Sequence, residues 1–422
     1  TIAYSGLQAA NTSLTITGHN VSNINTKGYT KQQAGTQAAD ALRTHTTYGA
    51  IGSGVVVTEI SQIRDSYYDV KYRNNMANYG QYSVKESYMG QIEDYLDEFT
   101  LNGYSQEYKN FFSAVNQLTI TPGDTSAKNQ LINNAKSLAD YFNTLTTNLR
   151  NVQADANNEI KDAVQQINSY AKNIAALNRQ INQIEANYGN ANDLRDKRNA
   201  MIDELSEIVN LETSEEDMGN NVSNFSVRIN GQTLVSSYSY NTLETVARTD
   251  KKNYSDAEGL YDVQWNSGQK FDMYSTSLSG HLKGLIDIRD GNNGEHENIE
   301  TDDDGNNVTD SDGNLVLTTA PAADKTVSYK GVPYYQAQLN EFAKIFSDAV
   351  NKIMKSGYTS DGSSKGISLF VTQPNTTVMS AGNITVNPEL LKNADLLAIK
   401  KEQNDGESDA KIMEELNKLQ SE

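Results

Sequence analysis

Small and apolar side chains recur at helical spacing over the first 25 residues of the chain. Their steps of three, four and seven residues predict a helix with one narrow apolar face, which only Thr17 interrupts. The members of this face are Ala3, Leu7, Ala10, Leu14, Val21 and Ile24. Since the rest of the helix is polar, it can bury little by itself, and we expect it to pack against a partner. The run from Asn25 to Tyr29, which includes Gly28, then predicts a turn that ends the helix.

Residues 30 to 60 lack this helical period and are rich in Thr, Gln, Gly and Ala. We expect an extended connector here, ending in a strand or β-like segment at Val55 to Val57. A helical block should follow, with one face formed by Ile60, Ile63, Tyr67 and Val70. A second helical face is predicted further along, at Tyr88, Ile92, Tyr95, Leu96 and Phe99. A third, shorter helix is predicted over residues 108–118, before Pro122-Gly123 stops it.

The stretch between Gly123 and Gly189 contains neither Gly nor Pro. Apolar side chains recur in it at alternating steps of three and four, averaging about 3.6 residues, the period of a straight or weakly supercoiled helix. Asp124 or Thr125 can cap the start of this helix, which would be roughly 95 Å long at 1.5 Å per residue. Tyr188-Gly189-Asn190 then predicts a turn, and the apolar pattern of residues 194–209 predicts a returning helix. An antiparallel helix pair is therefore expected.

The period of the pattern changes to two at about residue 211. Phe225, Val227 and Ile229 alternate with polar side chains, and Asn230-Gly231 is a strong signal for a two-residue hairpin. Further short β segments are predicted between Asp, Gly and Asn turns, at residues 261–273, 315–317 and 327–329, with a brief helix at 282–288. We therefore predict a β-rich domain inserted into a helical one.

A last long helix is predicted after this β-rich region. Pro333 is typical of the first turn of a helix, and Gly357 should end the helix. The side chains expected on its apolar face are Tyr335, Leu339, Phe342, Phe346, Val350 and Ile353. The remainder, up to Glu422, is expected to be rich in loops, then weakly helical and highly charged.

Composition narrows the classes of function. The chain has 422 residues and a formal net charge of −19, which disfavours nucleic acid and anionic membranes because both attract proteins through Lys and Arg. It contains no cysteine, so disulfides, thiolate nucleophiles and cysteine-ligated metals are excluded. No run of apolar residues reaches the roughly 18 to 20 needed to span a bilayer. The N-terminus also lacks the pattern of a cleavable signal peptide.

Catalytic and cofactor-binding motifs are missing from the sequence. The four histidines are His19, His45, His281 and His296, and none has the spacing of a metal site or lies beside a nucleophile motif. The glycine-rich run Gly49 to Gly54 lacks the Lys-Ser/Thr of a phosphate-binding loop. We therefore expect a protein that is not an enzyme and holds no cofactor. A hydrolase built from two distant carboxylates stays open, because paired acids need no local motif.

The acidic segment 295–313 invites interpretation as a calcium loop. Counted with Gly305 as the sixth residue of an EF-hand loop, Glu300, Asp302 and Asp304 stand at ligand positions. Ser311 stands where the bidentate Glu should be, and flanking helices are not predicted. We therefore expect a solvated surface loop between strands, without a metal ion.

A resemblance to a known family adds to this picture. Ser5-Gly6-Leu7-Gln8-Ala9-Ala10 and the run from Asn20 to Tyr29 closely resemble the signature shared by the rod, hook and hook-associated proteins of the bacterial flagellar axis. Thr30-Lys31-Gln32 is similar to the version found in the hook-associated protein 1 family. Later segments resemble that family in the same order, namely residues 102–105, 111–119, 192–199, 280–290, 339–343, 369–371 and 384–388.

The resemblance implies a fold class, a multidomain α+β protein. It would have an elongated helical domain with long antiparallel helices and an inserted β-rich outer domain. Taken with the patterns above, we predict an axial core helix at residues 1–30 and an extended connector at 31–59. The mainly helical domain would comprise 60–210 and 334–422, and the inserted β-rich domain 211–333. In the family the N-terminal helix pairs with a C-terminal helix, and we expect that helix to lie outside these 422 residues.

The resemblance also implies partners and a place of action. It predicts a structural protein at the junction of hook and filament, secreted to the outside of the cell. Expected partners are further copies in a ring, the hook protein, hook-associated protein 3, and an export chaperone that binds the C-terminal helix. The predicted packing residues are Leu7, Ala10, Leu14, Asn20, Val21, Asn23, Ile24, Asn25, Gly28 and Tyr29. Hook-associated protein 3, a flagellin-like protein and a surface adhesin stay open as alternatives.

Overall fold

The structure is a computed structural model, and it describes residues 2–43, 50–96, 103–323 and 325–421. The chain forms two compact units. Unit 1 comprises Thr1–Ser83, Lys161–Val246 and Asp262–Gly284, and unit 2 comprises Val84–Ile160, Ala247–Tyr261 and Leu285–Glu422. The domain boundaries expected from the sequence stay a prediction.

Helices dominate the part of the chain that the structure describes. They are α1 Ile2–Ser22, α2 Ser66–Leu96, α3 Tyr104–Ile120, α4 Thr125–Glu185, α5 Asn192–Ile208, α6 His281–Asp290, α7 Val332–Ser356, α8 Pro388–Lys392 and α9 Lys411–Lys418. Two short 3₁₀ helices occupy Ala394–Leu396 and Leu419–Ser421.

The strands are short and form small antiparallel sheets. They are β1 Gln32–Ala38, β2 Leu42–Arg43, β3 Ala50–Ile51, β4 Val55–Gln62, β5 Leu211–Asp217, β6 Ser223–Ile229, β7 Gln232–Ser236, β8 Ser239–Tyr240, β9 Leu243–Ala247, β10 Tyr261–Trp265, β11 Glu295–Ile299, β12 Leu317–Pro321, β13 Tyr358–Thr359, β14 Phe370–Thr372, β15 Ile384–Val386 and β16 Ala398–Lys400. The largest sheet in the described residues has four strands, in the order β5-β6-β7-β8.

The long helix predicted from the apolar seam is confirmed. Helix α4 runs for 61 residues without a break, and Asp124 caps its start by accepting a hydrogen bond from the Ser126 N–H at 2.8 Å. The helix ends in the predicted turn, where Tyr188 adopts a positive φ of 58°. Helix α5 then returns, as the pattern predicted.

Unit 1 is built on this returning helix and the four-stranded sheet. The sheet is also joined to α4, because Asn178 on α4 donates to the main-chain oxygens of Phe225 and Ser237. The predicted hairpin is confirmed, since Asn230 and Gly231 have φ values of 47° and 77° and connect β6 to β7. Both residues of such a turn need a positive φ, and Asn and Gly adopt it most readily.

The core of unit 2 is aromatic at its centre. Phe111 on α3, Phe346 on α7 and Phe370 on β14 pack with ring centroids 5.6 to 6.2 Å apart. The C-terminal segment contributes more to this core than expected, because α9 buries Ile412, Met413 and Leu416 completely. The end of the chain was expected to be rich in loops, then weakly helical and highly charged, and it does end in the short helix α9. Eight residues are too few for a strong periodic signal, although one face of α9 is apolar.

A buried ion-pair group lies beside α6 in unit 2. The Asp290 carboxylate binds the guanidinium groups of Arg289 at 2.6 Å and Arg248 at 2.8 Å. Burial alone would raise the pKa of Asp290, but the two guanidinium groups hold this pKa well below its ordinary value. All three side chains are therefore charged and mutually satisfied, as buried charges must be.

The segment predicted as extended, residues 30–60, contains one more strand than expected: residues 32–38 form β1, which pairs with β4 in antiparallel register, and their polar composition has no alternation that would reveal it. Two local predictions are wrong. Ile60 belongs to β4, and α2 begins only at Ser66, so Ile60 and Ile63 share no helical face with Tyr67. Residues 327–329 form no strand, although the Val327 and Tyr329 carbonyls accept from the Gly294 and Asn293 N–H groups. Phe99 and His45 lie outside the described residues.

Gly80 provides a test of how closely α2 approaches α5. A methyl group at Gly80 would overlap the main-chain oxygen of Glu207, whereas one at Gly90, on the same helix, would meet nothing within 4 Å. We expect Gly80→Ala to lower the free energy of unfolding by about 1–3 kcal/mol through overpacking.

The control is Gly90→Ala, which should leave stability unchanged or raise it by up to about 1 kcal/mol, since Ala favours helices. Urea unfolding of both variants is the measurement. Equal stability of the two variants would contradict the close approach.

Candidate assembly surface

The predicted apolar face of α1 lies in solvent. Leu7, Leu14, Val21 and Ile24 are 58, 70, 64 and 77% exposed, and Ala3 and Ala10 on the same face are also exposed. We call Leu7, Ala10, Leu14, Val21 and Ile24, which lies in the turn just after the helix, the α1 stripe. Its steps of three, four and seven residues are those of a seam between paired helices. The stripe is therefore an exposed apolar face of unit 1.

The opposite face of α1 packs on the β1–β4 pair. Ala9 and Ile16 are the buried apolar side chains of this face. At its start, Ser5 Oγ accepts a hydrogen bond from the Val55 N–H at 3.2 Å. Ala9 and Ile16 together bury little apolar surface, so α1 depends on polar contacts for its placement.

The segment that carries the α1 stripe is almost free of charged side chains. Residues 1–26 contain no Asp, Glu, Lys or Arg. Residues 1–63 carry Lys27, Lys31 and Arg43 against Asp40 and Glu59, a net charge of +1, which leaves −20 on residues 64–422. Nearly all of the negative charge of the chain therefore lies outside the segment that carries the stripe.

The Asn20 side chain joins the last turn of α1 to the first residue of β1. Its Nδ2 donates to the Gln32 carbonyl at 2.9 Å, and its Oδ1 accepts from the Gln32 N–H at 2.9 Å. The Tyr29 hydroxyl also donates to Asn20 Oδ1, at 2.8 Å. Because that hydroxyl donates to Asn20, it accepts from His19 Nδ1, which lies 2.9 Å away. The side chains of His19, Asn20 and Tyr29 thus form one hydrogen-bonded chain.

The other predicted residues of the turn have separate roles. Asn23 Nδ2 donates to the His19 carbonyl at 2.9 Å, an oxygen that also accepts from the Asn23 N–H at 3.1 Å. Asn25 is exposed and has no side-chain hydrogen bond within the described residues. Gly28 has a φ of 82°, and a Cβ placed on it would lie 3.0 Å from Ala200 Cβ. Both the backbone and the space therefore require glycine.

Asp196 on α5 holds the turn from the other side. Its Oδ2 accepts from the Thr30 N–H at 2.9 Å, and its Oδ1 accepts from Gln62 Nε2 at 2.8 Å. Sequence reasoning missed this role, although residues 192–199 resembled a family motif, because 166 residues separate the two partners. The carboxylate is buried and fully engaged.

The carboxylates of α5 also affect Tyr29. Burial, together with the nearby Asp193 and Asp196, raises the pKa of the Tyr29 hydroxyl above its ordinary value. The hydroxyl therefore keeps its proton and remains a donor to Asn20 at any physiological pH.

Ionic contacts fix α5 itself within unit 1. Arg195 binds Glu185 on α4 through two nitrogens at 2.7 and 2.8 Å. Arg198 binds Glu215 on β5 at 3.3 Å and lies 3.7 Å from the Phe225 ring centre. Burial lowers the pKa of Arg198 to about 10, with Glu215 opposing this shift, so the guanidinium stays charged at neutral pH. Helix α5 is thus a rigid support for Asp196.

The acidic segment 295–313 forms two similar turns in unit 2. Asp302 Oδ1 accepts from the N–H groups of Asp304 and Asn306, and Asp310 Oδ1 accepts likewise from Asp312 and Asn314. Asp312 in turn binds Lys355 Nζ at 2.8 Å. The described residues contain no group of three His, Asp or Glu side chains that could hold a metal ion.

A bilayer-spanning element is also lacking in the part of the chain that the structure describes. None of its helices combines the length and the apolar character that crossing a membrane requires.

Comparison with known proteins identifies relatives of the chain. Residues 89–370 match the family model described as the helical domain of the flagellar hook-associated protein FlgK. The chain is 26% identical over 376 residues to flagellar hook-associated protein 1 of Bacillus subtilis, covering 85% of this chain and 67% of that protein. It is 33% identical over 219 residues to the protein of the same name from Salmonella typhimurium, covering 51% and 39%.

A solved structure shows the same fold. The flagellar hook junction protein FlgK from Burkholderia pseudomallei superposes with a TM-score of 0.52 at 23% identity, over 71% of this chain and 46% of that one. The chain thus spans between about two fifths and two thirds of the length of these relatives.

The hydroxyl of Tyr29 provides a test of the hydrogen-bonded chain at the turn. Tyr29→Phe removes the donor to Asn20 and the acceptor for His19, and we expect a loss of about 1 kcal/mol in the free energy of unfolding of unit 1. Tyr4→Phe is the control, because the Tyr4 ring is exposed and its hydroxyl contacts only Gln8 on the same helix, at 3.3 Å. Urea unfolding measures both, and a Tyr29→Phe variant as stable as the control would contradict the role of the hydroxyl.

Proposed function

Because the chain belongs to the family of the flagellar hook-associated protein FlgK, we propose that it is a structural junction protein that joins the flagellar hook to the filament. The observation that carries this proposal is the α1 stripe. An exposed apolar seam on an uncharged helix is costly in water and is stable only when another helix covers it. A protein whose N-terminal helix is arranged in this way is suited to assembly along an axis.

The mechanism follows from the division of roles within α1. The Ala9 and Ile16 face holds the helix on the β1–β4 pair, while the α1 stripe packs against axial helices of neighbouring subunits. Helices α4 and α5 give the chain its stiffness, since their main-chain hydrogen bonds and the Arg195–Glu185 pair resist bending under load. The protein acts as a mechanical adaptor and catalyses no reaction.

The partners are those of the flagellar axis. Further copies of the chain form a ring through the α1 stripe, with the hook protein on one side and hook-associated protein 3 on the other. An export chaperone binds a C-terminal helix outside these 422 residues, and the protein acts outside the cell. The family membership and the uncharged stripe support this assignment, since a helix seam recognises other helices and not a small molecule.

Charging the α1 stripe tests the proposal. We expect the triple substitution Leu7→Asp, Leu14→Asp and Val21→Asp in the full-length protein to leave unit 1 folded, because these side chains are exposed. A bacterium that lacks this protein and receives the triple variant should make hooks without filaments and should not swim, because three buried charges would prevent helix packing. Electron microscopy and swimming in soft agar are the measurements.

The matched control places the same three charges on another exposed side of α1, as Asn11→Asp, Thr15→Asp and Ser22→Asp. This variant should restore filaments. If both triple variants swim normally, the α1 stripe is not an assembly surface.

A further inference from the structure

We propose that Asn20 and Asp196 are positioning residues that fix the direction of α1 in the free subunit, so that the α1 stripe is presented before any partner binds. This inference rests on the proposed function, because it assigns the stripe its role. It adds that the direction of the assembly helix is set by unit 1 itself, through polar contacts that lie outside the stripe.

The need for such residues follows from the packing of α1. Its buried apolar contacts with the β1–β4 pair come from Ala9 and Ile16, and a helix held by so little apolar area swings readily. A helix that swings must be ordered when subunits meet, and that ordering weakens association. Polar contacts at the end of α1 remove this cost in advance.

Asn20 supplies contacts that other side chains of its size cannot. Its amide donates to the carbonyl and accepts from the N–H of the same residue, Gln32, as a neighbouring strand would. An Asp at this position keeps the shape but has no donor, and it places an oxygen against the Gln32 carbonyl. The last turn of α1 is thereby joined to the first residue of β1.

Asp196 then joins both strands to α5. Thr30 precedes β1, and Gln62 ends β4, where it lies opposite Gln32 in the strand register. One buried carboxylate accepts from both Thr30 and Gln62. The end of the β1–β4 pair that carries the α1 turn is therefore held on α5, and Gly28 allows the turn to lie against Ala200. Loss of the carboxylate leaves the Thr30 N–H buried without a partner.

The absence of cysteine from the chain allows a direct measurement. Ser13→Cys on α1 and Lys197→Cys on α5, both exposed positions, carry two spin labels in the otherwise unchanged chain. Pulsed electron paramagnetic resonance then gives the distribution of distances between the labels. We expect one narrow distribution in the parent, and one at least twice as wide after Asn20→Asp or Asp196→Ala.

Glu185→Gln is the matched control. This substitution removes the charge of Glu185, which binds Arg195 on α5, the helix that also carries Asp196. Glu185 touches no residue of the turn after α1, so the distance distribution of this variant should stay narrow. Gln62→Ala removes one of the two contacts of Asp196 and should give an intermediate width, which keeps the test decisive if Asp196→Ala fails to fold. Narrow distributions in Asn20→Asp and Gln62→Ala, or equal widening in Glu185→Gln, would overturn the inference.

The measurement separates this inference from the proposed function, because it uses the isolated subunit and needs no flagellum. Narrow distributions in the positioning variants, together with loss of filaments in the charged-stripe variant, would refute the positioning role and leave the assembly role standing. Normal filaments in the charged-stripe variant would refute the assembly role whatever the distances are.

Discussion

The arrangement of the N-terminal segment depends on one buried carboxylate. Within the described residues Asp196 forms no ion pair, and its two oxygens instead accept from the Thr30 N–H and the Gln62 amide. Such a site stabilises only when every lone pair that faces the protein finds a donor. Two features bring the Thr30 N–H and the Gln62 amide to the Asp196 carboxylate. They are the turn with glycine at position 28 and the pairing of β1 with β4.

Helix α1 depends on polar contacts with its own subunit because most of its apolar side chains face solvent. A helix can use its apolar residues to dock on its own subunit or to bind a partner, but the same side chain cannot do both. In α1 the larger apolar side chains, such as Leu7 and Leu14, face solvent, while Ala9 and Ile16 face the subunit. The subunit side therefore needs Asn20 and its neighbours, and the charge-free sequence of residues 1–26 keeps the outer side compatible with an acidic neighbour.

These differences explain what could be predicted from the sequence. Helices α1 and α4 and the Asn230-Gly231 hairpin were predictable, because each rests on periodicity or on turn chemistry within a few residues. Strand β1 was not, since its polar residues are ordered by pairing with β4 and not by their own pattern. Ile60 was assigned to a helix because three-residue steps occur by chance across a strand end. The role of Asp196 could not be predicted from the sequence, because a contact between residues 166 positions apart leaves no local signal.

The separation of roles also has a consequence for how the subunit tolerates sequence change. Residues of the α1 stripe make few contacts within unit 1, so substitutions there have little effect on folding. Asn20, Gly28 and Asp196 make their contacts within unit 1, so substitutions there act on folding and helix direction first. A subunit built in this way can vary its partner surface while the geometry that presents this surface stays constant. That independence suits the assembly role that we propose for the stripe, because the surface that meets a partner can then change without altering the direction of α1.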